Sequence, residues 1–288
     1  MPNSRGNGNL GYISELRRAL SECSQKYASA AGAPHRLSYG GVPTVVFEPD
    51  PQGPRHGNFL TTSYRAMLRN PSWQRRLAKT HSQRKRLPQP DNGCWSELDS
   101  CNSSDALLMN IFCYPRILAY MPVASLLGVD TEGVPEFGYR ARVPLQGGRF
   151  DRTEVDMRVG SLLVEAKLTE AHFQRREKTA VERYSDFSEV FDCGRLPQSA
   201  SEYFSYQLIR NVLAAHASGC SFCLMCDSRR PDLIGLWFEV LQWVRPVALR
   251  LRCKLLTWQE LAATLPPKLQ KFLQQKYAIL GTPAGFSA

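Results

Sequence analysis

The sequence predicts an α/β protein with further helices at both ends. Of its 288 residues, 43% are hydrophobic, which suffices for a packed core. Apolar runs of strand length alternate along the chain with stretches of helical period. Residues 153–168 read as a β-hairpin with one wholly apolar face and one charged face.

Taken in order, residues 1–34 hold one helix, Ile13 to Tyr27, closed by the Ala- and Gly-rich stretch Ala28 to Pro34. Val45-Val46-Phe47 is a short strand before a Pro-rich loop. Pro71 or Ser72 opens a helix that runs into a basic segment, and Pro88 to Gly93 has the composition of a linker. Ser103 or Ser104 supplies the N-cap of a helix from Asp105 to Tyr114, with Asp105 at the positive end of its dipole. Phe137 to Pro144 is the first core strand and 152–168 the hairpin. Thr169 to Pro197 is a charged insertion with helical potential at Arg175 to Phe187, and an insertion of that length suits a mobile element. Ser201 caps a helix to Ala217 with Phe204, Leu208, Val212 and Ala215 on its apolar stripe. A strand at Cys220–Asp227, a helix at Leu233–Val244 and a last strand at Val247–Thr257 follow. Two helices close the chain, near Trp258–Thr264 and Pro267–Ala278. The division expected is an accessory segment, 1–92, and a core, 93–288, or one continuous domain.

The hairpin carries the chemistry. Gly160-Ser161 suits a tight turn whose first residue needs positive φ. Closing there pairs Val159 with Leu162, Met157 with Val164, Asp156 with Glu165 and Glu154 with Lys167. Val155, Met157, Val159, Leu162, Val164, Ala166 and Leu168 then share one face, and Glu154, Asp156, Arg158, Leu163, Glu165 and Lys167 the other. Opposed carboxylates repel. A divalent cation would compensate for Asp156 against Glu165, and Mg²⁺ is commonly held by one or two carboxylates while phosphate and water complete its shell. A solvated surface hairpin, with Glu154 and Lys167 as an ordinary cross-strand pair, accounts for the same charges.

Asp156 followed by Glu165-Ala166-Lys167 resembles the signature of the PD-(D/E)XK nuclease superfamily, although Val155 stands where the name-giving proline would be. His56-Gly-Asn-Phe59, the run Glu97 to Phe112, Arg152-Thr-Glu-Val-Asp156 and Tyr206-Gln-Leu-Ile-Arg-Asn211 extend the resemblance to a restriction-endonuclease-like branch over roughly residues 55–280. The resemblance implies a restriction-endonuclease-like core, a central mixed β-sheet flanked by helices, and Mg²⁺-dependent hydrolysis of DNA, with Mn²⁺ as a substitute. It implies Asp156 and Glu165 as metal ligands and Lys167 as the catalytic lysine. It also points Gln207 toward the active site, where the alternative is a polar residue at the edge of a buried helix. A helix before the catalytic strands often lends another acidic residue in such proteins. Glu97, Asp105 and Asn110 are candidates, though capping explains Asp105 as well.

The net charge of +10 favours a polyanionic partner. From Arg65 to Arg86 there are eight basic residues (Arg65, Arg69, Arg75, Arg76, Lys79, Arg84, Lys85 and Arg86) and no acidic one, with Tyr64, Trp73 and His81 interleaved. That segment can track the phosphates of duplex DNA, or form a solvated helix face and loop. Nine cysteines without an apolar leader argue for reduced thiols and a cytoplasmic protein. Cys220-Ser-Phe-Cys-Leu-Met-Cys226 resembles part of an iron–sulfur ligand run but reads equally as an apolar strand with buried thiols. Ala106 to Val129 is interrupted by Asn110, Pro115, Arg116 and Pro122, so no membrane span is expected. A restriction-like DNA endonuclease leads; one site cuts one strand per event, so double-strand cleavage would imply a homodimer or repeated action. A non-catalytic nucleic-acid-binding protein on the same fold and an iron–sulfur nuclease are the alternatives.

Overall fold

The computed structural model describes residues 5–50, 53–80, 87–88 and 95–281, with the side chains of 5–10 left aside. Its elements are α1 (Arg5–Ala31), β1 (His35–Leu37), β2 (Val45–Phe47), α2 (Thr61–Arg69), α3 (Pro71–Leu77), a 3₁₀ turn at Glu97–Asp99, α4 (Ser104–Phe112) and α5 (Met121–Leu127). There follow β3 (Glu136–Arg140), β4 (Val143–Leu145), β5 (Arg149–Asp151), β6 (Glu154–Val159), β7 (Leu162–Ala166), β8 (Arg175–Glu177), α6 (Lys178–Val181), α7 (Phe187–Val190) and β9 (Glu202–Phe204). The chain continues through α8 (Tyr206–Ser218), β10 (Ser221–Cys226), α9 (Pro231–Leu241), α10 (Val247–Leu251), β11 (Cys253–Thr257), α11 (Trp258–Thr264) and α12 (Pro267–Tyr277). They form two compact units, 1–135 with 257–288, and 136–256.

The first unit is mainly helical. α12 packs on α1, and α11 on α5, so the C-terminal helices complete the core begun by the N-terminal ones. The His56-to-Phe59 segment is held by hydrogen bonds. His56 Nε2 lies 3.1 Å from Asp99 Oδ1, and the Asn58 amide donates to the Leu98 and Ser100 carbonyls. A Cβ at Gly57 would lie 2.3 Å from the Phe47 ring, so only glycine fits. Asn110 is spent locally as well, accepting from the Leu60 N–H at 2.8 Å and donating to the Asn58 and Ala106 carbonyls at 3.0 and 2.8 Å.

The second unit carries a five-stranded mixed sheet in the order β11-β10-β7-β6-β3. β3, β6 and β7 are antiparallel neighbours, whereas β10 runs parallel to β7. α8 and α9 pack against β10, and α8 also against β7. Leu208, Ile209 and Val212 of α8 join Leu163, Phe222, Leu224 and Trp237 in the core. This is the central mixed sheet flanked by helices that the resemblance implies.

Several boundaries differ from expectation. α8 begins at Tyr206, because Glu202–Phe204 pairs with Arg175–Glu177 as a two-stranded ribbon. That pairing also makes Arg175–Glu177 a strand, where helical potential was expected. Val247–Leu251 is a helix ahead of β11, so the last strand is shorter than its apolar run. Cys223 and Cys226 lie three apart on β10, and alternation sends them to opposite faces. Burial pushes the Cys226 thiol up to about 12, with Asp227 adding to it. These cysteines therefore pack as small apolar side chains.

Candidate active site

The hairpin turns at Gly160, φ 53°, and pairs Val159 with Leu162, Arg158 with Leu163 and Met157 with Val164. The expected register holds to that point, and the ladder then opens. Asp156 is not laddered to Glu165; its Oδ2 accepts the Ala166 N–H at 2.8 Å, standing in for a backbone acceptor. On the other side of β6, Gly138 at φ 65° interrupts regular pairing between Phe137↔Met157 and Tyr139↔Val155. Val155, which strict alternation would place with Met157, belongs to the cluster of Leu163, Leu208 and Phe222. The one-sided apolar face therefore ends where the carboxylate begins its work.

β7 is the middle strand of five and every residue of it is buried, so its charged positions are buried too. Glu165 is 3% exposed and Lys167 5%. Buried charges persist only when paired and hydrogen-bonded. Lys167 Nζ lies 2.7 Å from Glu165 Oε1, and the Asn211 amide donates to Glu165 Oε2 at 2.7 Å. Burial pushes the Lys167 ammonium toward neutrality, but Glu165, Glu170 and Asp156 together outweigh it and raise its pKa. Lys167, Asn211 and the Ala166 N–H are thus the protein partners of the two carboxylates.

Two buried arginines hold the ends of the hairpin, Arg230 at the exit of β7 and Arg210 at the entry of β6. The Lys167 N–H continues the parallel pairing to the Met225 carbonyl at 2.8 Å, and Glu170 Oε2 accepts the Leu168 N–H at 2.6 Å. Arg230, fully buried, pairs with Asp232 at 2.7 Å and donates to the Leu168 and Glu170 carbonyls at 3.3 and 2.9 Å. Arg210, 2% exposed, works from α8. It donates to Asn211 Oδ1 at 2.6 Å, to the Glu154 carbonyl at 3.1 Å and to the Thr153 carbonyl, and it pairs with Asp151 at 3.2 Å. An arginine can only donate, so it turns the Asn211 oxygen toward itself and leaves the Asn211 NH₂ for Glu165. Asp151 also accepts from the Tyr184 hydroxyl at 2.5 Å, and Tyr184 meets the Tyr206 hydroxyl at 2.8 Å. Burial alone would raise the Asp151 pKa, but the hydrogen bonds from Thr153 and Tyr184, with Arg210, lower it.

Asp156, Glu165 and Lys167 are thus brought together. Gln207 sits half-buried on the first turn of α8, its N–H bonded to the Phe173 carbonyl at 2.9 Å. The helix residue that reaches Glu165 is Asn211, one turn on. The Tyr206-to-Asn211 motif contained it, but nothing in helical spacing distinguishes which polar residue meets the strand. Glu97, Asp105 and Asn110 belong to the first unit. There Asp105 pairs with Arg76 at 2.9 Å and Lys79 at 3.0 Å, and Glu97 pairs with Lys79 at 3.0 Å. Two cations of the basic run are therefore used internally, and Trp73 donates to the Pro135 carbonyl while Tyr64 stacks on Phe59. Arg65, Arg69 and Arg75 stay exposed; His81, Arg84, Lys85 and Arg86 lie outside the described residues.

Among the described residues no group of three or more His, Cys, Asp or Glu is placed to hold a metal ion. Nor is any described helix long and apolar enough to cross a membrane. A family model described as restriction endonuclease associating with ARP matches residues 26–278. No curated protein and no solved structure is significantly similar to the chain.

Proposed function

The chain belongs to this restriction-endonuclease family, and from that membership we propose that it is a Mg²⁺-dependent DNA endonuclease of the PD-(D/E)XK type. The observation that carries the reading is the buried Glu165–Lys167 pair at 2.7 Å, on a central strand beside Asp156. No stability argument requires a charged pair there, because an apolar pair of similar size commonly serves a core as well or better.

Asp156 and Glu165 would hold the cation, with Mn²⁺ able to replace Mg²⁺. Their donors are hard oxygens, and each carboxylate keeps lone pairs beyond those taken by Ala166, Lys167 and Asn211. Two carboxylates suffice for Mg²⁺, whose remaining positions are ordinarily filled by water and substrate phosphate. Such an ion lowers the pKa of bound water and offsets charge at the phosphoryl centre. Lys167 stays protonated among three carboxylates, so its part is to donate and to stabilise negative charge rather than to accept a proton. Gln207 is a candidate for substrate contact from the start of α8.

Asn211 is a positioning residue. Asn211→Ala is expected to weaken Mn²⁺ binding about 10–100-fold, the usual effect of removing a group that orients a ligand. Asn211→Gln should recover part of that loss in the same calorimetric titration. Unchanged Mn²⁺ affinity in Asn211→Ala would remove Asn211 from this role.

The direct test incubates supercoiled plasmid, linear duplex and single strands with and without Mg²⁺. Divalent-dependent nicking or linearisation of duplex, absent in Glu165→Ala, is expected. Intact plasmid with the wild-type protein, or full cleavage by Glu165→Ala, rules the reading out.

A further inference from the structure

We propose that the β8–β9 ribbon is a contact surface for the sugar–phosphate backbone of the DNA substrate, with Arg175 and Arg176 as its phosphate-binding groups. The proposal rests on the nuclease reading above for the identity of the polyanion. It adds a second basic surface to the one that the sequence pattern places at residues 65–86.

All three residues of β8 are exposed. Both basic side chains of the ribbon lie over rings, Arg175 over Phe204 at 4.5 Å and Arg176 over Tyr206 at 5.8 Å, and Lys178, which follows in α6, lies over Tyr203 at 5.5 Å. Among the described residues none of the three has a carboxylate within an ion-pair distance of 4.0 Å. They thus lack ion-pair partners, in contrast to Arg76 and Lys79, which pair with Asp105 and Glu97. A ring beneath a guanidinium restricts it without satisfying its donors, so less entropy is lost when a phosphate oxygen arrives.

The rings do not move freely. Tyr203 is buried and donates to Glu182 at 3.1 Å, and the Tyr206 hydroxyl is tied to Tyr184. The ribbon is also anchored to the candidate site. The Tyr206 N–H donates to the Gln174 carbonyl at 3.1 Å and the Gln207 N–H to the Phe173 carbonyl at 2.9 Å, which joins its root to the start of α8. Phe173 in turn lies under Lys167, 5.9 Å from Nζ to ring centre. Two non-glycine residues at this root, Gln174 and Ser205, hold left-handed backbone at φ 61° and 57°, a strain that persists only where surroundings impose it. The acidic pair Glu177↔Glu202 sits at the opposite end of the ladder from Arg175↔Phe204. The cationic end of the ribbon is thus the end fastened to the start of α8, beside Phe173, whose ring lies under Lys167.

Fluorescence anisotropy of a labelled duplex, titrated without divalent cation across a salt series, tests this with wild type, Arg175→Gln/Arg176→Gln and Arg175→Lys/Arg176→Lys. Each phosphate contact contributes about 0.9 to the slope of log affinity against log salt. The glutamine pair should lower that slope by about two and the lysine pair should restore it. An unchanged slope in the glutamine pair overturns the proposal, as does failure of the wild type to bind duplex, or a loss seen only with an RNA ligand. Plasmid cleavage is measured beside it. Wild-type cleavage with an unchanged slope defeats the ribbon alone, and ribbon-dependent binding without wild-type cleavage defeats the nuclease reading alone.

Discussion

Lys167→Met is expected to lower plasmid cleavage by about 10³-fold or more, the range for removing a preorganised electrostatic group from a hydrolytic site. The same substitution strands Glu165, whose side chain is 4% exposed, without its ion partner. Removing one member of a buried pair costs about 3–5 kcal/mol, so a fall in melting temperature should accompany the loss of activity. The two effects separate in a Mn²⁺ titration. The Met variant keeps both proposed ligand carboxylates and loses the positive charge between them, so it should bind Mn²⁺ at least as tightly as wild type. Glu165→Ala should lose cleavage and Mn²⁺ binding together. A Lys167→Met protein that cuts at the wild-type rate would show that the pair is structural.

The second large effect concerns the first unit and is a matter of pH. Lys276 is completely buried, and among the described residues its Nζ has no hydrogen-bond partner. The amine lies over Tyr277 at 3.8 Å, Phe47 at 5.4 Å and Phe272 at 5.9 Å. Burial depresses its pKa from 10.5 to about 7, with Cys101 acting weakly the other way. The titratable groups that face it are Cys101 and Tyr277, both pushed upward by burial. Between about pH 7 and 10.5 the unfolded chain therefore carries a proton on Lys276 that the folded chain lacks. Stability rises with pH across this window, and below pH 7 both states are protonated and the slope disappears. The whole rise is on the order of 5 kcal/mol, at about 1.36 kcal/mol per unit. Lys276→Met should abolish the rise and raise the melting temperature at pH 7, by roughly 10 °C at about 2–4 °C per kcal/mol. Urea midpoints for both proteins at pH 7, 8.5 and 10 check this. A wild-type midpoint that is flat over that range would mean that the amine is hydrated.

Legibility followed the range of the interactions. The turn, the first three hairpin pairs and the Cys220–Asp227 strand were readable because glycine φ and side-chain alternation act between neighbours. So were the α4 cap at Ser103, which accepts from the Ala106 N–H at 3.1 Å, and α11, whose capping box joins Thr257 and Glu260. Misreadings fell where a distant partner overrode the local pattern. The sequence pattern carries Glu202–Phe204 into α8 because nothing nearby reveals its pairing with Arg175–Glu177. Arg76 and Lys79 looked like a free basic face, since their partner Asp105 stands 29 and 26 residues away.

The sequence by itself determined the chemical types at the site: two carboxylates and a lysine, on two strands whose local turn brings them together. Tertiary structure alone decided how they are held. Asn211 reaches Glu165 from 46 residues away, and Arg210 reaches Asp151 from 59. Those distances close only when α8 packs on the sheet through Leu208, Ile209 and Val212. Short-range geometry can place a charge on a strand, but burying it requires donors from other elements, and where those come from is a property of the packed core.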